Sequence, residues 1–281
     1  MKPIYLDYNA TTPIDPAVHD AMAPYLREHF GNPSCKHAYG TLAHEAVEKA
    51  RQQVAGLLHA DREEIVFTGG GSEASNHAIK GAVFGRLVRN EPHVITSAIE
   101  HPATLKPCEF LKRLGCSVTV LPVDGTGRVD PDAVRRAIRK ETALITIMHS
   151  NNEVGTLQPI REIAAIARER GILTHTDAAQ SMGKLSVNVR ELGIDLITVA
   201  GHKLYAPKGI GVLFIRKGVQ IDNLIHGAGH ESGRRAGTEN VPYLVGLGEA
   251  AEIARQSLSE VTEQLTLLRD RLEERLRTYF G

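Results

Sequence analysis

Short apolar runs alternate with segments of helical pattern through the middle of the chain, and this alternation constrains the fold more than any other feature. The runs lie at 65–67, 93–96, 117–121, 143–148, 172–176, 196–199 and 212–215. Between them fall helical patterns at 72–89, from Pro102 onward, at 131–139 and at 160–170. Strands separated by helices need crossover connections, so the expected architecture is α/β with a mostly parallel sheet. The runs are apolar on both faces, as strands covered by helices on each side must be.

The flanks read differently. Residues 16–58 are expected to be mainly helical, with Asp15 as a cap and Pro16 at the first helical position. Leu258, Val261, Leu265, Leu268, Leu272 and Leu276 recur at spacings of three and four, the stripe of one long amphipathic helix. Such a stripe serves core or subunit packing. The expected organisation is an N-terminal segment 1–15, a large domain 16–250 and a long helix 251–281.

Composition narrows the partners. Lys+Arg and Asp+Glu are both 33, so no global basic field attracts nucleic acid or an anionic membrane. A small-molecule substrate or a protein partner is expected instead. The opening MKPIYLDYNATTP lacks the apolar core of a signal peptide, and no apolar run reaches membrane-span length. Cys35, Cys108 and Cys116 form no CxxC or metal-type spacing, which suits a reducing, cytoplasmic setting. His226 and His230 lie four apart, but HGAGH is too glycine-rich to present both rings from one helix face, so no metal site is expected.

Ligands of open parallel sheets bind beyond the carboxyl ends of the strands, and there the chemistry concentrates. After 65–67 come three glycines and a helix start near Ser72, a backbone suited to an anion at a helix N-terminus. Gly69, Gly71 and Ala74 also fit a loose dinucleotide fingerprint, with Glu100 near the next strand end as its acidic residue. Asp177 ends another strand, where a carboxylate is costly without a cationic partner such as a pyridinium nitrogen. It could equally cap the following turn. Gln180 follows, within reach of a ring oxygen.

Lys203 lies one helix-and-strand unit beyond Asp177, in AGHKLYAPKG, where its amine can meet an aldehyde and His202 can donate to a phosphate. His101 follows the strand at 93–96 and could stack on a ring and move protons, and Asn152 could bond a phenolic oxygen. A phosphate cradle, a carboxylate for a ring nitrogen and an amine for an aldehyde are the three handles of pyridoxal 5'-phosphate. The dinucleotide reading explains only the first of them.

YLDYNATTP, FGNPSCKH, EIVFTGGGSEASN, TSAIEHPA, MHSNNEVGTLQP, THTDAAQSMGK, AGHKLYAPKGIG and HGAGHESGRRAGTENVP resemble the cysteine desulfurases, in order and over almost the whole chain. These are class V aminotransferase-like enzymes of fold type I. The resemblance implies Lys203 as the Schiff-base lysine and His101 as the stacking acid/base. It implies Gly71, Ser72, His202 and Thr238 around the phosphate, with Asn152, Asp177 and Gln180 on the ring. It also implies a homodimer in which Thr238 reaches the partner's cofactor, L-cysteine as substrate, and an iron–sulfur scaffold or similar protein as sulfur acceptor. A selenocysteine lyase or a silent cofactor-binding scaffold are the alternatives. Two departures stand out. Ala200 replaces the usual serine, at a cost of about 1.5–3 kcal/mol if its hydroxyl bond is lost. The nucleophilic cysteine and the arginine for the substrate carboxylate belong, in the family, to a small C-terminal domain expected to be missing here. A fragment or shortened form that holds the cofactor but makes little persulfide is therefore expected.

Overall fold

The structure, a computed structural model, describes residues 3–87 and 91–281. Seven strands form one sheet: β1 (Ile65–Thr68), β2 (His93–Ser97), β3 (Ser117–Leu121), β4 (Thr142–Thr146), β5 (Leu173–Asp177), β6 (Leu196–Ala200) and β7 (Gly211–Ile215). Their spatial order is β1-β7-β6-β5-β4-β2-β3. The pairs among β2, β3, β4, β5 and β6 are parallel, whereas β7 runs antiparallel to both β6 and β1. Every strand except β7 therefore points its carboxyl end to the same edge, and that edge carries the site.

Alternation along each strand feeds two cores. Ile65 and Phe67 join one apolar cluster and Val66 the other; Ile197 and Leu196 divide in the same way. Helices α3 (Gly71–Leu87) and α4 (Pro102–Arg113) cover one face. The other is covered by α1 (Pro16–Arg27), α2 (Ala38–Leu58), α5 (Pro131–Ala137), α6 (Ile160–Arg168), the single turn α7 (Val189–Leu192) and α8 (Val241–Phe280). The expected alternation and crossovers are thus present. Asp15 caps α1 by accepting from the Ala17 amide, with Pro16 in the first turn.

Several expectations shift. Of the helix expected at 72–89, residues 88 and 89 lie outside the described residues. Helices α5 and α6 each end two residues earlier than their apolar patterns suggest. Strand β3 is an edge strand and leaves Val120 exposed, so it is not apolar on both faces as expected. The long helix begins at Val241, where the Asn240 side chain accepts from the Tyr243 amide, rather than at 251. Its first turns are buried, and a Cβ on Gly248 would lie 2.6 Å from Ala50 Cα, so α8 and α2 meet at backbone contact. Leu258 and Val261 are half-buried, whereas Leu265, Leu268, Leu272 and Leu276 face outward. Among the described residues, no helix is long and apolar enough to cross a membrane.

Candidate active site

A cleft of about 790 Å³ opens along the carboxyl edge of the sheet. It is lined by residues from the ends of β1, β2, β4, β5 and β6, and is roofed in part by the N-terminal segment. Eight of the residues singled out from sequence line it: Gly71, Ser72, His101, Asn152, Asp177, Gln180, His202 and Lys203. Thr238 does not. It lies in an adjoining pocket that shares Gly69, Gly209 and Ile210 with the cleft.

The β1–α3 turn passes through Gly70 at φ 141°, a conformation that only glycine adopts readily. The first intrahelical bond runs from the Ala74 amide to the Gly70 carbonyl, so the N–H groups of Gly71, Ser72 and Glu73 start the helix without an intrahelical acceptor. A Cβ on Gly71 would sit 3.0 Å from Ala200 Cβ, so the helix start packs tightly on the end of β6. The Gly69 amide donates to Glu73, whose carboxylate also receives two bonds from Arg235 at 2.8 and 3.2 Å.

Asp177 closes β5 and is buried. One oxygen accepts from the Ala179 amide at 2.9 Å, so the carboxylate does cap the turn as one sequence reading expected. No ion pair forms on it among the described residues. Burial pushes its pKa up, opposed by the Ala179 N–H and by the charges of His101 and Lys203. The Lys203 amine leaves a single 3₁₀ turn after β6 and donates to the Asn9 carbonyl. Burial pushes its pKa down, opposed by Asp177 and Asp7.

His101 caps α4. Its Nδ1 accepts from the Ala103 amide at 3.1 Å, which places the proton of a neutral ring on Nε2. His202 Nδ1 shares a bond with Thr11 Oγ1 at 3.2 Å. Its pKa is lowered by burial and then by Lys203, Lys208 and His101. Gln180 donates to the Asn9 carbonyl at 3.1 Å and accepts from Lys184. Of the Asn151-Asn152 pair, Asn151 is buried and holds a turn by accepting from the amides of Glu153 and Val154, which leaves Asn152 on the cleft.

Asp7, Asn9 and Thr11 were not singled out from sequence, although they line the cleft. The available signal was the run of short polar residues ahead of the Asp15 cap. Glu100 has a role opposite to the one a dinucleotide site needs. It is buried, accepts from Ser97 Oγ at 2.5 Å and from the Met148 amide at 3.0 Å, and its pKa is pushed up to about 8, chiefly by burial. A carboxyl group so enclosed cannot bond a ribose. The dinucleotide reading fails there. The cysteines also lie away from the cleft. Burial pushes the Cys108 and Cys116 thiols up to about 12 and about 11, and Cys35 is half-buried before α2.

A helix start with free N–H groups, a buried carboxylate with no counter-ion among the described residues and a desolvated amine, on one cleft of a mostly parallel sheet, define a fold-type I pyridoxal phosphate enzyme. Residues 4–281 match the family model "Aminotransferase class-V". The chain is 50% identical over 269 residues to the cysteine desulfurase IscS of Dictyoglomus turgidum, an alignment covering 96% of this chain and 68% of the relative. It superposes on a solved NifS-like protein with a TM-score of 0.94 at 38% identity, covering 98% of this chain and 76% of the other. A solved structure of SspA in complex with cysteine matches with a TM-score of 0.87 at 46% identity, covering 89% and 72%. The chain belongs to the class-V aminotransferase family and, within it, to the cysteine desulfurases.

Proposed function

We propose that this cleft binds pyridoxal phosphate and acts on L-cysteine, breaking the Cβ–S bond so that the carbon skeleton leaves as alanine and the sulfur passes to a thiolate as a persulfide. The observation that carries this reading is the buried Asp177 carboxylate, with no ion pair among the described residues, facing the same cleft as the Lys203 amine. A cationic ring nitrogen is the partner it lacks, so the residues fit the cofactor. The solved relative bound to cysteine supports the choice of substrate.

When bound, pyridoxal phosphate supplies an aldehyde carbon for the amine and a ring that withdraws electrons from the substrate α-carbon. The backbone amides of Gly71 and Ser72, with His202, hold the phosphate. Asp177 keeps a proton on the ring nitrogen, and Asn152 and Gln180 orient the ring. The Lys203 amine, its pKa lowered by burial, takes the proton from the substrate α-carbon and returns it. His101, its Nδ1 engaged by the Ala103 amide, would lie against the ring and move protons through Nε2.

The chain acts as a homodimer, with Thr238 serving the partner's site and a sulfur-acceptor protein of iron–sulfur assembly taking the product. The three unpaired cysteines support a cytoplasmic setting. Deuterium exchange tests the reading without requiring a protein thiol. Loaded with cofactor in D2O, the chain exchanges the α-proton of L-cysteine, and Lys203→Ala slows exchange by about 100-fold or more. Absence of exchange in the unmodified chain would refute the assignment.

A further inference from the structure

Directly beneath the cleft, four polar side chains are bonded in one continuous row across the α3-facing side of the sheet, beside Thr96 of β2, whose buried hydroxyl stays outside the row. Thr146 Oγ1 shares a bond with His175 Nδ1 at 2.8 Å. His175 Nε2 shares one with Thr198 Oγ1 at 3.0 Å, and Ser75 Oγ donates to Thr198 Oγ1 at 3.1 Å. All four residues are 1% exposed or less. Their surroundings are the aliphatic side chains of the α3-facing core, among them Val94, Leu144 and Leu213. Valine or leucine would fill such positions at no polar cost, whereas a buried polar row is tolerated only when each member is bonded.

The placement of the row relative to the site is regular. Side chains two apart on a strand leave it on the same face. His175 therefore lies under Asp177 on β5, and Thr198 lies under Ala200 on β6. Thr146 ends β4, two residues before Met148, which lines the cleft. Ser75 stands one helical turn after Gly71 on α3. Thr198 also backs the helix start directly, because a Cβ on Gly71 would come within 3.6 Å of its Cγ2. One row thus ties three adjacent strands to the helix that begins at Gly71. Apolar contacts alone leave a helix free to slide on a sheet by fractions of an ångström, and directional bonds remove that freedom.

We propose that Thr146, His175, Thr198 and Ser75 are positioning residues that fix the α3 N-terminus relative to Asp177, and so set the spacing between the phosphate and ring-nitrogen contacts of the cofactor. The inference rests on the α3 start being the phosphate cradle. It does not depend on which amino acid is the substrate.

The test compares binding of pyridoxal phosphate and of pyridoxal, which lacks the phosphate, to the cofactor-free chain. The variants are Thr198→Val, Thr198→Ser and Ser75→Ala, each also followed by thermal unfolding. Loss of one hydrogen bond predicts that Thr198→Val weakens pyridoxal phosphate about tenfold, with pyridoxal changed less than about twofold. Ser75→Ala behaves alike, and Thr198→Ser, which keeps the hydroxyl, recovers binding to within about twofold. Equal losses for both ligands, or a lowered melting temperature with no phosphate-dependent loss, would show a merely structural row and overturn the inference. The unmodified chain tests the premise separately. If it binds the two ligands equally well, the cradle reading itself fails. Ser75→Ala and Thr198→Ser are small changes that keep the comparison available if Thr198→Val does not fold.

Discussion

Asp177 and Lys203 face one cleft from neighbouring parallel strands, Asp177 as the last residue of β5 and Lys203 three residues beyond the end of β6. Each is taken out of water by the same burial and each steadies the charged form of the other. Burial raises the pKa of the acid and lowers that of the base, so without cofactor the pair stores a destabilising charge.

Asp177→Asn should therefore separate stability from function. A carboxylate whose pKa is raised on folding loses stability as pH climbs from its unfolded value through its folded one, so at pH 7 the substitution stabilises the cofactor-free chain. We expect a higher melting temperature and α-proton exchange slower by roughly 100-fold. A lowered melting temperature with unchanged exchange would contradict both halves.

Borohydride reduction of the loaded chain should fix the cofactor to Lys203. Lys208 also lines the cleft, and Lys184 reaches Gln180, so both are real competitors for an aldehyde. Burial lowers the pKa of both Lys184 and Lys203, so Lys203 is distinguished by its place on the cleft beside Asp177. Peptide mapping that recovers the label on Lys184 or Lys208 would displace the assignment.

The sequence carried the site well where chemistry sits on a strand end, because apolar runs mark the strands and parallel sheets gather their ends on one edge. Asp177, Lys203 and His101 were placed on the cleft in this way. Asn9 was not, since it lies in an irregular segment whose bonds to Lys203 and Gln180 exist only once the chain has folded. The enclosure of Glu100 by Ser97 and the Met148 amide was also hidden, since sequence does not tell an exposed carboxylate from a buried one. The start of α8 was missed for a related reason. Residues 241–250 are buried against α1 and α2 on several sides, so their pattern is not that of a one-faced amphipathic helix.

Glu100 gives a pH signature. Its pKa of about 8 in the fold, against an ordinary carboxylate value near 4.5, means that the folded chain keeps a proton the unfolded chain has released. Stability from this group is full below pH 4.5 and is lost as pH rises toward 8. Glu100→Gln holds the neutral form at every pH, so its advantage over the unmodified chain should grow by about 3 kcal/mol between pH 5 and pH 8. Urea unfolding at the two pH values measures the difference directly. A constant difference would mean that Glu100 is ionised in the fold.

Thr238 tests the proposed assembly. It stands outside the cleft of its own chain, after the loop that Glu231 pins to β1 by bonds to Arg51 and to the Phe67 amide. In mixed dimers of Thr238→Ala and Lys203→Ala chains, a threonine acting across the interface weakens cofactor binding in the sites of the Lys203→Ala chains. Weakening confined to the sites of the Thr238→Ala chains would argue against sharing.

The last expectation concerns sulfur itself. In the proposed mechanism, moving a proton at the α-carbon uses Lys203, His101 and Asp177, which share the cleft. Breaking the Cβ–S bond needs in addition a thiolate held against the substrate sulfur, and such positioning is worth roughly 7–11 kcal/mol. Cys108 and Cys116 remain protonated at neutral pH, with pKa values pushed up to about 12 and about 11, and they lie in the core. Cys35 is more open but lines no part of the cleft. Residues 1–281 with bound cofactor should therefore exchange the α-proton of L-cysteine while releasing alanine and sulfide at least about 100-fold more slowly than a desulfurase with a thiolate positioned at the substrate sulfur. Both products can be followed with a reductant present. Equal rates would show that a thiol within these residues reaches the substrate, and loss of that activity in Cys35→Ala would identify it.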